Sequence, residues 1–159
     1  MTWGKNMLIV ILPVLALCSC TNSDFKKTVN VPSHTWENSF RPSFIFDVKK
    51  TSTPYRLYLI LRHSDLYAFN NIYLNLYTRS PGQNSFQKIQ LQASLGSNEK
   101  GWLGSGMNDI YEHYITLTSK DLDFYFQKPG TYTFTIEQTM RQEPLKNIFS
   151  VGLFIEKRL

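Results

Sequence analysis

Five places in this chain hold residue types that could do chemistry, and one of them has the spacing its chemistry needs. That place is Leu17-Cys18-Ser19-Cys20. It closes an apolar run, Met7 to Leu17, which follows a single positive charge at Lys5 and contains Pro13. A bilayer-spanning helix takes about 20 apolar residues, so this shorter run reads as the core of an export leader. Leu, two small residues and then Cys looks like a bacterial lipobox. That likeness implies cleavage before Cys20 and lipid on its thiol. Cys18 is the weaker acceptor, because Leu17 would then stand beside the cut where a small residue belongs. The bland alternative is an ordinary leader with two incidental cysteines.

The other four places read better as structure. Arg62-His63-Ser64-Asp65 has the residue types of a hydrolase triad. A triad is built by convergence in space, adjacent residues seldom converge, and no Gly-x-Ser-x-Gly elbow is present. The segment reads as a strand end running into a turn. Glu112-His113 with Asp109 is the best metal candidate, but neighbours on a strand point to opposite faces, and no other His or Cys stands at ligand spacing. Asp121 and Asp123 flank Leu122 and read as caps of a short turn. Gly101-Trp102-Leu103-Gly104-Ser105-Gly106 lacks the Lys-Ser/Thr that completes a phosphate loop. The residues therefore point to no catalytic group, no metal and no cofactor.

If residues 1–19 are removed, about 140 residues remain, enough for one domain behind a tether. A lipoprotein Cys carries several acyl chains, and each buried methylene contributes about 0.8 kcal/mol, so release from a membrane would be very slow. Lys5 is the only charge in the leader, so maturation lowers the net charge of +5 by one. The basic residues form no stripe and match no nucleic-acid-binding signature, so no nucleic-acid partner is expected. With Cys20 lipidated, the exported part has no disulfide or free thiol. Its stability must come from an apolar core, which the 14% aromatic content can supply.

The elements that must position any site read as strands. Residues 20–34 are mostly polar and are expected to be the lipidated Cys and a tether. Its 13 residues from Thr21 to Ser33 would reach on the order of 20 Å. From residue 35 to 159 alternation outcompetes helical spacing. Phe44 and Phe46 alternate with Ile45 and Asp47; Tyr55, Leu57, Leu59 and Leu61 share one face, with Arg56, Tyr58, Ile60 and Arg62 on the other. Ile72, Leu74 and Leu76 repeat the pattern, as do Ile89, Leu91 and Ala93, then Tyr111, His113, Ile115 and Leu117, then Tyr132, Phe134 and Ile136. Ile148 to Ile155 is apolar on both faces and suits a central strand. Ser80-Pro81-Gly82 and Lys128-Pro129-Gly130 are turn signals. The expected fold is all-β: an antiparallel sandwich, jelly-roll-like, of about eight strands. At most one short helix is expected, a turn within Ser119–Gln127 capped by Ser119.

Such a domain would act by binding. The candidate contact residues are Tyr67 and Asn71 in a turn, Tyr73 and Tyr77 on the polar side of a strand, and Trp102 among its glycines. Trp102 has two readings, a core plug favoured by its large buriable area and a ring presented to a partner or sugar.

The order of these features resembles the GldH family, gliding-motility lipoproteins of the Bacteroidetes. The resemblance runs from the lipobox nearly to the C-terminus. It rests on Trp36 and Phe40, then Tyr55-x-Leu57 leading to Leu61-Arg62-His63-Ser64, and Tyr67-Ala68-Phe69-Asn70-Asn71-Ile72. It continues through Gly101-Trp102-Leu103-Gly104-Ser105-Gly106 and Asp109, the block Gly130 to Arg141, and Leu145, Ile148 and Val151-Gly152-Leu153. The resemblance implies a non-catalytic accessory or scaffold lipoprotein of the gliding apparatus, linked to type IX secretion, with other envelope proteins as partners. It implies no catalytic residues. The expected location is the cell envelope, the periplasmic side of the outer membrane, held through Cys20. A carbohydrate-binding jelly roll is the alternative, since sugar faces stack on exposed rings.

Overall fold

The computed structural model describes residues 24–119 and 121–158. Among them are thirteen strands and one 3-10 turn, Pro32–His34. The strands are β1 Phe25–Asn30, β2 Thr35–Trp36, β3 Ser43–Val48, β4 Tyr55–Ser64, β5 Asn71–Arg79, β6 Gln87–Ser94 and β7 Gly96–Ser97. The rest are β8 Gly101–Trp102, β9 Ser105–Met107, β10 Ile110–Thr116, β11 Gly130–Gln138, β12 Leu145–Lys146 and β13 Ile148–Lys157. Eight of these described strands have six or more residues; the others are short clips.

Two antiparallel sheets form a sandwich-like fold, one ordered β1-β13-β4-β10-β9 and the other β3-β11-β5-β6. Alternation explains their inner faces. Leu57, Leu59 and Leu61 of β4 and Val151, Leu153 and Ile155 of β13 belong to one buried cluster with Ile72, Leu74 and Leu76 of β5 and Phe134 and Ile136 of β11. As its two-faced apolar character predicts, β13 is internal, paired to β1 on one side and β4 on the other.

Two expectations are corrected. The stretch assigned to a tether, residues 20–34, contains β1, which pairs residue for residue with β13 from Phe25↔Ile155 to Asn30↔Ser150. An edge strand buries little, and only Phe25 and Val29 of β1 are half-buried, so its polar composition looks like linker. The helical turn expected in Ser119–Gln127 is absent among the described residues. Phe124 instead bridges to Tyr55, its N–H donating to the Tyr55 carbonyl and its own carbonyl accepting from the Tyr55 N–H. Phe126 then enters the core at 3% exposure, which an extended chain allows and a single helical turn does not need.

The sandwich has two distinct ends. The β1 start, the β4 start and the β13 end lie together, since Phe25 pairs with Ile155 and Tyr55 with Lys157. The opposite end carries the β4 end, the β10 start and the β5 start. The ten residues of β4, at about 3.3 Å each, separate these ends by roughly 30 Å.

Candidate functional site

The end far from Asp24 is where most of the singled-out residues gather. After β4 the chain turns through Asp65–Asn70 and enters β5. The Asn70 carbonyl accepts two backbone N–H groups, from Leu95 at 2.7 Å and Gly96 at 3.0 Å. These bonds clamp the turn against the β7–β8 clip, in which Gly96 pairs with Trp102. Between the two segments lies an open groove of about 450 Å³, bordered by Tyr67, Phe69 and Asn70 on one side and Gly96, Asn98 and Trp102 on the other.

Trp102 is half-buried, and both sequence readings describe part of it. Its ring packs edge-on against His63 at 4.4 Å and near Tyr111 at 5.8 Å, while the residue also lines the groove. Tyr67 is 4% exposed and its hydroxyl donates to the Asn71 carbonyl at 3.0 Å. Burial pushes its phenol pKa well above the ordinary value. Tyr67 therefore shapes the turn and offers little surface. Asn71 is half-buried. At the same end of the sandwich, Leu66, Leu103 and Met107 are exposed apolar side chains, Met107 at 76%.

Beneath Trp102 lies a pair the sequence reading missed. His63 and His113 are both buried, their Nε2 atoms 2.8 Å apart and their rings stacked. Across β4 and β10 the register pairs His63 with Tyr111 and His113 with Leu61, so the imidazoles are diagonal neighbours on the inner face. The His63 Nδ1–H donates to the Ser64 carbonyl at 2.7 Å. Burial keeps both rings neutral, and His63 Nε2 is then the acceptor and His113 Nε2–H the donor. Burial lowers both pKa values, and the neighbouring His63 contributes further at His113, which falls to about 4. Gly104 passes so close that a Cβ there would stand 2.9 Å from His113 Nε2. The signal was in the parity: both histidines fall on the core-facing positions of their strands.

The triad-like and metal-like sequences do not converge. His63 faces inward, Asp65 is exposed, and Ser64 Oγ makes no hydrogen bond to a described residue. Glu112 faces outward, 3.7 Å from both Lys26 and Arg62, while His113 faces inward. Tyr73 and Tyr77 lie apart from the groove, on the outer face of the four-stranded sheet. Tyr73 is 43% exposed. Tyr77 is half-buried and donates to Glu137 at 2.7 Å. Burial alone would raise the Glu137 pKa; hydrogen bonds from Asn75 and Tyr77 and the Arg41 charge outweigh it and hold the carboxylate ionised. Tyr77 is thus part of a closed polar network. Cys20 lies outside the described residues. Among the described residues no helix is long and apolar enough to cross a membrane.

Comparison with known proteins adds a family. The profile described as GldH lipoprotein matches residues 24–155. The gliding motility lipoprotein GldH of Flavobacterium johnsoniae is 26% identical, over 97% of this chain and 98% of its own length. A GldH homolog of Christiangramia forsetii is 24% identical, over 96% of this chain and 95% of its own. No solved structure matches.

Proposed function

This chain belongs to the GldH lipoprotein family, and we propose that it serves gliding motility as a non-catalytic scaffold that binds other envelope proteins through its far end. The observation that carries the reading is the groove walled by Trp102 at that end, where Leu66, Leu103 and Met107 are also exposed. Exposed apolar side chains at the same end as a half-buried tryptophan are what a protein partner would cover. The groove is roughly 30 Å from the Asp24 end, so a membrane-held chain would present it to partners above the bilayer. Anchoring raises local concentration, and weak contacts would then suffice. Thr21 follows Cys20, with no Asp there to suggest inner-membrane retention, which supports the periplasmic face of the outer membrane as the site. The link to type IX secretion follows from the family resemblance and belongs to the same proposal.

The test is cross-linking in native membranes. Leu66→Ser with Met107→Ser should reduce recovery of envelope proteins several-fold while leaving the melting temperature nearly unchanged, because neither side chain is buried. Unchanged recovery overturns the assignment of this end. Micromolar glycan binding by the purified protein, with no envelope protein recovered, would replace the reading by carbohydrate recognition.

A further inference from the structure

The segment Asp121–Lys128 crosses the end of the sandwich where Asp24 lies. Its backbone is held by the Phe124–Tyr55 bridge, and Phe126 is locked among Tyr55, Tyr132 and Phe134. Three other apolar or aromatic side chains of the segment are exposed. Leu122 is 69% exposed, Tyr125 43% and Phe124 37%. Gln87 of β6 lines the same cleft as Phe124 and Tyr125, and Phe86 beside it is also exposed. One end therefore carries an apolar and aromatic patch on a rigid backbone.

Cations stand around it. Lys49 and Lys50 occupy the turn from β3 to β4, Lys128 ends the crossing segment, and Lys157 and Arg158 close the described chain. Three of the acids at this end are already engaged. Asp24 Oδ1 accepts the Lys157 N–H at 2.9 Å, Asp47 accepts the Thr131 hydroxyl at 2.6 Å, and Glu156 accepts the Tyr58 hydroxyl at 3.4 Å. Asp121 and Asp123 put two negative charges beside Leu122, against the positive charges of Lys49, Lys50, Lys128, Lys157 and Arg158 at this end. Asp24 also bounds how far a lipid on Cys20 could lie, since Cys20 is four residues earlier in the sequence. Four extended residues span about 14 Å at most.

We infer that this end is a second membrane contact: Leu122, Phe124, Tyr125 and Phe86 enter the headgroup boundary of an anionic lipid surface, with Lys49, Lys50 and Lys128 against its phosphates. Aromatic rings with a polar tip favour that boundary, and basic residues beside it are drawn to anionic lipid. The occupant is a bilayer because the anchor and the patch share one end, within the reach of four residues. The contact would orient the domain, with the groove side facing away from the lipid. It rests on membership in a lipoprotein family and not on the partner-binding proposal, so either can fail alone.

The chain has two cysteines, both ahead of Asp24, so a cysteine introduced in the domain is the only free thiol of the lipidated protein. Leu122→Cys and Met107→Cys proteins, each carrying an environment-sensitive fluorophore, are reconstituted in phosphatidylethanolamine–phosphatidylglycerol vesicles containing a shallow nitroxide lipid. The label at position 122 should be quenched several-fold more than the label at 107. Phosphatidylcholine in place of phosphatidylglycerol, or Lys49→Glu with Lys50→Glu, should reduce quenching at 122, with circular dichroism unchanged. Equal quenching at both positions, stronger quenching at 107, none at either, or quenching at 122 indifferent to lipid and lysine charge would each overturn the inference.

Discussion

His63 and His113 meet Nε2 to Nε2 at 2.8 Å, both buried inside the domain. Two imidazoles held neutral by burial make folding sensitive to acid. Both folded pKa values lie below the ordinary 6.5, so the unfolded chain binds more protons once pH falls through that value. This contribution is complete above about pH 6.5 and is lost progressively towards pH 4. From His113 alone it is about 3 kcal/mol at most. The melting temperature should fall steeply between pH 6.5 and 4. His113→Gln keeps an N–H donor for His63 without a titrating ring, and should flatten that slope.

Phe134 and Ile45 test the two faces of one sheet. Phe134 is 3% exposed and Ile45 61%. Phe134→Ala should cost about 3–5 kcal/mol in urea unfolding, as the loss of a buried aromatic does. Ile45→Ala should change stability by no more than about 0.5 kcal/mol.

Gly152 is the contact point between β13 and the edge strand. A Cβ there would lie 2.6 Å from both the Lys27 carbonyl oxygen and Thr28 Cγ2. Gly152→Ala should therefore loosen β1, at a cost of about 1–3 kcal/mol. Hydrogen exchange should rise at Phe25–Asn30 while β4 and β11 stay protected.

Cys20 and Cys18 are separable by labelling. Cys20→Ala should abolish incorporation of labelled fatty acid and release or mislocalise the protein. Cys18→Ala should do neither. Loss of label from Cys18→Ala alone would assign the anchor to the other cysteine.

The inward and outward faces of the strands were legible because strand alternation is local: residues two apart share a face wherever the strand ends up. Leu57, Leu59 and Leu61, or Tyr132, Phe134 and Ile136, announce their burial from spacing alone. The family resemblance was legible for a similar reason, since it lies in the order of short blocks along the chain. Tertiary structure decided what depends on which strands become neighbours. Only the β4–β10 pairing brings His63 to His113, and only pairing with β13 turns the polar stretch Phe25–Asn30 into a strand. The same long-range pairing places Leu122 and Lys49 at the end where Asp24 begins, and Trp102 at the other. No local spacing encodes that, because it is set by burying two apolar sheet faces against each other.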